Sequence, residues 1–318
     1  MSDIHVDVAV VGAGPAGVAA GIGAREAGAG RVLVIERDWD LGGILQQCIH
    51  PGFGLHTFKE ELTGPEYMHR WIERAREAGV EFMTNSMVFG AHPDGSLDVM
   101  NPDRGVFRVT SGATVLAMGC RERPLGAINI PGSRPAGIYT AGTAQRFVNM
   151  EGYMPGDRAV ILGSGDIGLI MARRMIWEGA KVEAVFEIMP WAGGLRRNIA
   201  QCLDDYGIPF YLNHSVVRVH GHDRLEGVTV VELDSDRRPV PGSERFVPCD
   251  TMLLAVGLIP ENELSRMAGA EIHPVTGGPI LNELYQTTRP SIFAAGNVVI
   301  VYDLADWVSQ EGVAAGRN

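Results

Sequence analysis

The sequence predicts an α/β protein with two similar three-layer domains. A β-branched run at residues 6–11 leads straight into a glycine-rich turn, and the same arrangement recurs 151 residues later. Each copy ends on a glutamate, Glu36 or Glu187, that lies 24 residues after the first glycine of its turn. Short apolar runs bounded by glycine are typical of buried parallel strands. A chain of 318 residues is long enough for two such domains.

Composition and charge narrow the possible functions. The 46% hydrophobic and 20% charged content is that of a globular protein, and the net charge of −11 argues against nucleic-acid binding. The apolar stretch at residues 6–24 is interrupted by six glycine or proline residues, which does not suit a membrane span, and no signal peptide is recognisable. Cys48, Cys120, Cys202 and Cys249 lie far apart without metal-ligand spacing. This cysteine usage predicts a cytoplasmic protein with no metal site.

The first glycine turn has the residues that a dinucleotide pyrophosphate requires. Gly12 permits a tight turn, Gly14 lets the backbone approach the phosphates, and Gly17 lets the following helix pack closely on the strand. The free amides of that helix then point at the phosphates. A second strand at residues 31–35 ends on Glu36, where a carboxylate can accept the two ribose hydroxyls. We therefore predict a Rossmann-like dinucleotide-binding domain.

The second copy has the same order. Its elements are a strand at 158–162, the turn at 163–168, a helix at 169–178 and a strand at 181–186. Glu187 at the strand end can bond the ribose 2′-hydroxyl of NAD and repel the 2′-phosphate of NADP. Arg196 and Arg197 follow in a glycine-rich loop. Three interpretations of these side chains are open: they face solvent, they contact the pyrophosphate, or they reach a 2′-phosphate. NAD is the preferred prediction, with NADP as the alternative.

The rest of the chain resembles thioredoxin-reductase-like flavoproteins of the pyridine nucleotide-disulfide oxidoreductase family. The segments that carry the resemblance are 114–119 followed by Pro124, 251–257 followed by Pro260, 291–297 and 41–78. The resemblance implies an FAD-binding domain at residues 1–122 and 260–318, with an NAD(P)-binding domain inserted at 123–259. It also implies that FAD occupies the first site and NAD(H) the second.

This resemblance implies two sets of cofactor contacts. For FAD they are Gly12, Gly14, Pro15, Ala16, Gly17, Glu36, Arg37, Gly43, Ile44, Gln47, Val88, Ala117, Gly119, Gly296 and Asn297. For NAD they are Gly163, Gly165, Asp166, Ile167, Glu187 and Gly257. Asn297 stands where the family usually has an aspartate, so it can form hydrogen bonds but carries no charge.

The chain departs from the family in its cysteines. Residues 139–145 contain no cysteine where thioredoxin reductases have CxxC. The loop after Gly43 contains only Cys48 where glutathione-reductase-like enzymes have CxxxxC. A dithiol relay needs two thiols within bonding distance. The sequence therefore predicts an oxidoreductase that is not a disulfide reductase.

A narrower resemblance suggests the setting in which the protein works. Residues 42–50, 58–66 and 156–158 are similar to FAD/NAD-linked oxidoreductases found alongside glycerol-3-phosphate dehydrogenases, and to subunits of sarcosine oxidase, opine oxidase and hydrogen cyanide synthase. The resemblance implies a subunit that passes electrons to a partner protein or a small acceptor; a homodimer is also compatible with it. Because the chain stops within a helix expected at 306–315, whose N-terminus in the family points at flavin O2, we expect the natural polypeptide to continue.

The loop expected around the flavin ring supplies candidate catalytic residues. Its polar side chains are Gln46, Gln47, Cys48, His50 and His56. Gln47 can donate to the pyrimidine edge, while Cys48 or His50 can tune or protonate the ring near N5. The alternatives are that Cys48 is a packing residue and His56 an ordinary loop histidine. Tyr67, Met68 and Trp71 follow at helical spacing and are expected to form a core face.

Three functions remain open at this stage. The first is hydride transfer between NAD(H) and FAD with electrons passed to an acceptor, which the paired turns favour. The second is direct oxidation of an amine or amino acid by the flavin. The third is a non-catalytic assembly protein that retains FAD and NAD as structural ligands.

Overall fold

The computed structural model describes residues 3–318, which form two compact units. The first unit comprises the chain up to Arg121 together with Ile259–Asn318, and the second is Glu122–Leu258. Each division falls one residue before the boundary expected from the sequence. The second unit is thus an insertion between two parts of the first.

The first unit begins with a strand, a helix and a strand. Its strands before the insertion are Ile4–Val11 (β1), Val32–Ile35 (β2), Pro51–Phe53 (β3), Leu62–Thr63 (β4), Glu81–Met83 (β5), Met87–Ala91 (β6), Leu97–Asn101 (β7) and Gly105–Leu116 (β8), and Cys120–Glu122 (β9) ends on the first residue of the insertion. Its helices there are Pro15–Glu26 (α1) and Gly64–Glu77 (α2), with a 3-10 helix at Gly43–Gln47.

The second unit repeats this pattern. Its helices are Leu125–Ile128 (α3), Ala141–Arg146 (α4), Asp166–Trp177 (α5) and Arg196–Cys202 (α6), with a π-helical turn at Phe147–Glu151 and a 3-10 turn at Asp204–Tyr206. Its strands are Ile138–Thr140 (β10), Arg158–Leu162 (β11), Lys181–Phe186 (β12), Phe210–Tyr211 (β13), His214–Gly221 (β14), Leu225–Glu232 (β15), Arg245–Pro248 (β16) and Thr251–Leu254 (β17). A parallel sheet has the order β10-β17-β11-β12-β13, and β14, β15 and β16 form an antiparallel sheet.

The chain then returns to the first unit and completes its sheet. The last elements are Leu258–Pro260 (β18), Glu263–Met267 (α7), Ile292–Ala294 (β19), a 3-10 turn at Gly296–Val298 and Ala305–Arg317 (α8). Strand β18 pairs with β9, and β19 pairs in parallel with the second half of β8. The first half of β8 instead pairs with β7, which in turn pairs with β6, and both pairings are antiparallel. The parallel part of the sheet therefore has the order β5-β2-β1-β8-β19.

Both faces of the first parallel sheet are covered. Val10 and Val115 belong to one buried cluster with side chains of α1, α2 and α8, while Val11 and Leu116 belong to a second cluster on the other face. Adjacent residues of a strand point to opposite faces, so a strand buried on both sides is apolar throughout. The predicted α/β class with two Rossmann-like sheets is confirmed. None of the described helices is long and apolar enough to cross a membrane.

Candidate dinucleotide sites

The turn after β1 combines a strained glycine with an open one. Gly12 has φ +100, and a Cβ there would lie 2.6 Å from the carbonyl oxygen of Ala117. Gly14 has φ −73, and no atom lies within 4 Å of the place where its Cβ would be. Gly12 is thus required by the turn itself. Gly14 is not, and its missing side chain leaves room for a ligand above the start of α1.

The turn after β11 repeats this division of roles. Gly163 has φ +96, and its Cβ would lie 2.2 Å from the carbonyl oxygen of Ala255. Gly165 has φ −62, and its Cβ would meet only that same oxygen, at 3.6 Å. In both turns, therefore, the glycine immediately before the following helix has open space where a side chain would be.

The helices that follow these turns begin without side-chain caps. Gly14 and Gly165 are the N-cap residues of α1 and α5, and neither N-cap forms a side-chain hydrogen bond. Helix α2 shows the contrast: the Thr63 hydroxyl accepts from Glu66 N, and the Glu66 carboxylate accepts from Thr63 N at 2.8 Å. Uncapped first-turn amides carry partial positive charge and bind phosphates well. The two helix starts fit a diphosphate.

The two glutamates at the strand ends have matching hydrogen bonds. Glu36 accepts from Ala13 N at 2.7 Å and from Asp38 N at 2.9 Å. Glu187 accepts from Ser164 N and from the amide of the residue two positions after it, each at 2.9 Å. The two glutamates are 6% and 7% exposed. Each carboxylate is thus fixed beside its glycine turn, where a ribose hydroxyl can reach its remaining lone pairs.

The second turn also holds the loop that follows Glu187. The Ser164 hydroxyl donates to Glu187 at 2.6 Å and accepts from Gly193 N at 2.8 Å. Asp166, the first residue of α5, accepts from Asn198 Nδ2 at 2.8 Å. Sequence reasoning did not identify Ser164 or Asn198, whose partners lie 23 to 32 residues away.

Several predicted FAD residues do gather around the first turn. Gly42 N donates to Ala13 O at 2.9 Å, and a Cβ on Gly43 would lie 3.0 Å from Gly14 Cα, so the start of the 43–47 helix meets the turn. Ala117 lies there too, because a Cβ on Gly12 would lie 2.6 Å from its carbonyl oxygen. Of the other residues expected to contact FAD, Pro15, Ala16 and Gly17 form the first turn of α1, Arg37 and Ile44 are exposed, Gln47 is buried, and the Cβ position of Gly119 is open. In the second unit, half-buried Ile167 lies in the first turn of α5, and the Cβ position of Gly257 is open.

Val88, another residue expected to contact FAD, has a buried side chain. Its side chain is 5% exposed on β6 and packs in the core cluster that contains Val99 and Phe107. The resemblance implies that Val88 contacts FAD. With its side chain in the core, only its backbone is available for such a contact.

The candidate catalytic residues lie in different environments. Cys48 is 6% exposed within the core, and burial raises the pKa of its thiol to about 12. The thiol therefore stays protonated near neutral pH, which favours the packing interpretation. His50 is half-buried with Nδ1 3.1 Å from Pro51 O, and exposed His56 lies against the Trp307 ring. Within residues 3–318 no group of three or more His, Cys, Asp or Glu side chains is arranged to hold a metal ion.

The start of α8 is fixed by buried polar contacts that the sequence did not reveal. Asp306 is 2% exposed and accepts from Thr57 N at 2.9 Å and from Gly54 N at 3.2 Å. The hydroxyls of Tyr67 and Ser309 lie 2.8 Å apart, and burial raises the pKa of Tyr67. An aspartate early in a predicted helix was a visible signal. Its partners, about 250 residues earlier in the chain, were not.

A second buried carboxylate lies beside the turn after β19. Glu311 of α8 is 9% exposed and accepts from Gly296 N at 2.7 Å and from the Tyr302 hydroxyl at 3.0 Å. Burial raises the pKa of Glu311. Burial, followed by the charge of Glu311, raises the pKa of Tyr302 to about 12. Asn297 Oδ1 accepts from Tyr302 N at 3.1 Å.

Comparison with known proteins agrees with this geometry. A family model described as "Pyridine nucleotide-disulphide oxidoreductase" matches residues 6–313. The fold is similar to that of a thioredoxin reductase from T. acidophilum, with a TM-score of 0.78 and 22% identity over 98% of this chain and 96% of that one. It is also similar to an L-proline dehydrogenase from P. horikoshii, with a TM-score of 0.69 and 19% identity over 99% of this chain and 55% of that one.

Curated relatives carry the names of enzyme subunits. An opine oxidase subunit from Agrobacterium tumefaciens is 27% identical, over 93% of this chain and 62% of the relative. Hydrogen cyanide synthase subunit HcnB of Pseudomonas protegens is 26% identical, over 91% and 65%. The glutamate synthase [NADPH] small chain of Escherichia coli is 30% identical, over 96% and 66%. The chain thus spans slightly less than two thirds of the length of each of these relatives.

Proposed function

The chain belongs to the pyridine nucleotide-disulphide oxidoreductase family, whose members are flavin oxidoreductases that bind FAD and NAD(P). We propose that it transfers hydride between NAD(H) and bound FAD without a redox-active cysteine pair. The observation that carries the proposal is the repeated open turn at Gly14 and Gly165, each followed by an uncapped helix. FAD supplies the two-electron chemistry when bound. The chain itself binds the two pyrophosphates at the helix starts and holds the riboses beside Glu36 and Glu187.

The environment of Glu187 supports NAD as the nicotinamide cofactor. Its carboxylate is held in place by two backbone amides and the Ser164 hydroxyl, so it cannot swing away from a ribose. A fixed negative charge there repels a 2′-phosphate. Arg196 and Arg197 are exposed at the start of α6, which is compatible with solvent-facing side chains.

The cysteines support electron transfer without a dithiol. Cys48 is in the first unit, and Cys202 and Cys249 are buried in the second. Burial raises the pKa of all three thiols, to about 12 for Cys48 and Cys249. Cys120 is the fourth, half-buried in the first unit. We accordingly propose that electrons leave the flavin for a small acceptor or a partner protein in the cytoplasm, in keeping with the subunit names of the relatives.

Anaerobic titration with NADH tests the proposal. The purified protein, reconstituted with FAD, is titrated with NADH and separately with NADPH while the visible absorption of oxidised flavin is recorded. We expect NADH to bleach the flavin stoichiometrically, and the Cys48→Ala variant to be reduced at the same rate. Flavin that binds but is reduced only by dithionite would refute hydride transfer, and loss of NADH reduction in Cys48→Ala would refute the cysteine-independent route.

A further inference from the structure

The two glycine turns differ by one hydroxyl group, which only the second turn has. In the first unit, Glu36 accepts from two backbone amides, those of Ala13 and Asp38. In the second unit, Glu187 accepts from the two corresponding amides and also from the hydroxyl of Ser164, at 2.6 Å. Ala13 is the middle residue of the first GxG and Ser164 that of the second, so the first turn has no side chain that could form this third bond.

The direction of the Ser164 hydroxyl is fixed by its second partner. Gly193 N donates to Ser164 Oγ at 2.8 Å, so the hydroxyl is the acceptor in that bond. A hydroxyl has only one hydrogen, which is then available for Glu187 alone. Ser164 is fully buried, at 0% exposure, so bulk water does not compete for this hydrogen. The bond to Glu187 is therefore a buried hydrogen bond to an ionised acceptor, which is among the stronger kinds.

The loop that carries Gly193 is itself held against the turn. Leu195 N donates to Asp166 Oδ1 at 2.7 Å. Between these two bonds lies Gly194, where a Cβ would be 2.7 Å from Asp166 Oδ1 and 2.9 Å from the carbonyl oxygen of Ser164. Because no side chain fits there, the loop backbone lies directly on the turn. The Gly193 amide is thus kept in the position from which it orients the Ser164 hydroxyl.

The extra bond changes what the carboxylate can offer a ribose. A carboxylate has about four lone-pair positions for hydrogen-bond donors. Glu187 Oε2 accepts from both the amide and the hydroxyl of Ser164, and Oε1 accepts from Met189 N. One position is left, on Oε1, whereas Glu36 retains one on each oxygen. Glu187 therefore offers a single acceptor in a fixed place, which suits one hydroxyl and gives a 2′-phosphate no donor to pair with.

We propose that Ser164 is the residue that makes the second site selective for NAD(H) over NADP(H), an inference that rests on the proposed function. Ser164 is a positioning residue, because it acts through Glu187 and does not contact the ribose. Its hydroxyl prevents the carboxylate from turning away, so that Oε1 receives the ribose 2′-hydroxyl and the fixed charge excludes a 2′-phosphate. The first turn binds FAD, for which no 2′-phosphorylated form has to be rejected, and an alanine is sufficient there.

Equilibrium binding of the oxidised cofactors tests this role without hydride transfer. The protein reconstituted with FAD is titrated calorimetrically with NAD⁺ and with NADP⁺, and the ratio of the two dissociation constants is compared between the wild type and Ser164→Ala. We expect the ratio to shift toward NADP⁺ by about tenfold, the effect of losing one hydrogen bond to a charged group. The matched control is Ser133→Ala, which removes a hydroxyl that donates to Gly221 O in the same unit, and its ratio should equal that of the wild type.

A double-mutant cycle with Glu187→Gln shows whether Ser164 acts through the carboxylate. In the Glu187→Gln background, Ser164→Ala should change the ratio by less than about threefold, because the charge that it positions has been removed. Additive effects of the two substitutions would overturn the proposal. So would a Ser164→Ala variant that binds NAD⁺ and NADP⁺ more weakly by the same factor, since a purely structural role leaves the ratio unchanged.

The outcomes separate this inference from the proposed function. A wild-type chain that binds NADP⁺ as tightly as NAD⁺ would overturn the role of Ser164 but not hydride transfer to the flavin. A chain that prefers NAD⁺ and loses this preference in Ser164→Ala, but whose flavin is reduced by neither NADH nor NADPH, would support Ser164 as the selector and refute hydride transfer. Thermal unfolding identifies a variant that fails to fold, and Ser164→Gly, which also lacks the hydroxyl, then replaces Ser164→Ala.

Discussion

Replacing Gly165 with alanine should weaken NADH binding while leaving the fold and the bound flavin intact. At φ −62 the backbone suits alanine, and the new methyl group would meet only Ala255 O, at 3.6 Å. Alanine is a poorer N-cap than glycine by about 0.5 kcal/mol. The smaller entropy of the unfolded chain offsets this by about 0.4–1 kcal/mol. The free energy of unfolding should therefore change by less than about 0.5 kcal/mol.

The same methyl group occupies the space that a pyrophosphate needs. Overpacking of this kind costs about 1–3 kcal/mol, which corresponds to roughly 5- to 150-fold weaker binding of NADH. The assay is stopped-flow reduction of the flavin under anaerobic conditions at increasing NADH concentration. Flavin content, reduction by dithionite and the thermal midpoint are measured in parallel.

Gly126→Ala in helix α3 is the matched control, because no atom lies within 4 Å of its Cβ position and it belongs to the same unit. It should bind NADH like the wild type. Unchanged NADH binding in Gly165→Ala would show that no phosphate approaches this glycine. Unfolding of the variant would show that the space above the turn is not open in the folded chain.

The buried charges and the thiol lead to four further predictions. Asp306→Asn should lower the free energy of unfolding in urea by about 1–3 kcal/mol, because an amide side chain has one acceptor oxygen where the two backbone amides now have two, whereas exposed Asp303→Asn should change it by less than about 0.5 kcal/mol. Native Cys48 should remain unreactive toward a thiol reagent at about pH 8, since the pKa of the buried thiol is about 12; rapid labelling at that position would contradict its burial. The raised pKa also means that the stabilising contribution of this thiol is lost as the pH rises from 9 toward 12, which pH-dependent unfolding of the wild type and Cys48→Ala can detect. Glu187→Gln should reduce the preference for NADH over NADPH by about tenfold, measured as the ratio of the two dissociation constants. An unchanged ratio would show that Glu187 does not discriminate between the two cofactors.

The fold was largely readable from the sequence because its signals are local. Strand, glycine turn, helix and second strand follow one another within a short stretch of chain, and their periodicity and glycine spacing need no tertiary information. The positions of Gly12, Gly163, Glu36 and Glu187 in the folded chain follow from that spacing. Val88 shows the limit: the resemblance implies a cofactor contact there, but the burial of its side chain on β6 depends on what packs over that strand.

The sequence by itself determined two glycine turns, each with a terminal acid, and the absence of a CxxC or CxxxxC pair. Only the tertiary structure decided that Cys48 is buried with a raised pKa, since burial of a loop residue depends on what packs over it. It also decided that Asp306 meets the 54–57 loop and that Glu311 meets Gly296. Asp306 accepts hydrogen bonds from residues about 250 positions earlier in the chain, and Glu311 accepts one from Gly296 in the turn that precedes α8. No periodicity encodes such contacts, because they exist only once helix α8 has packed against α1.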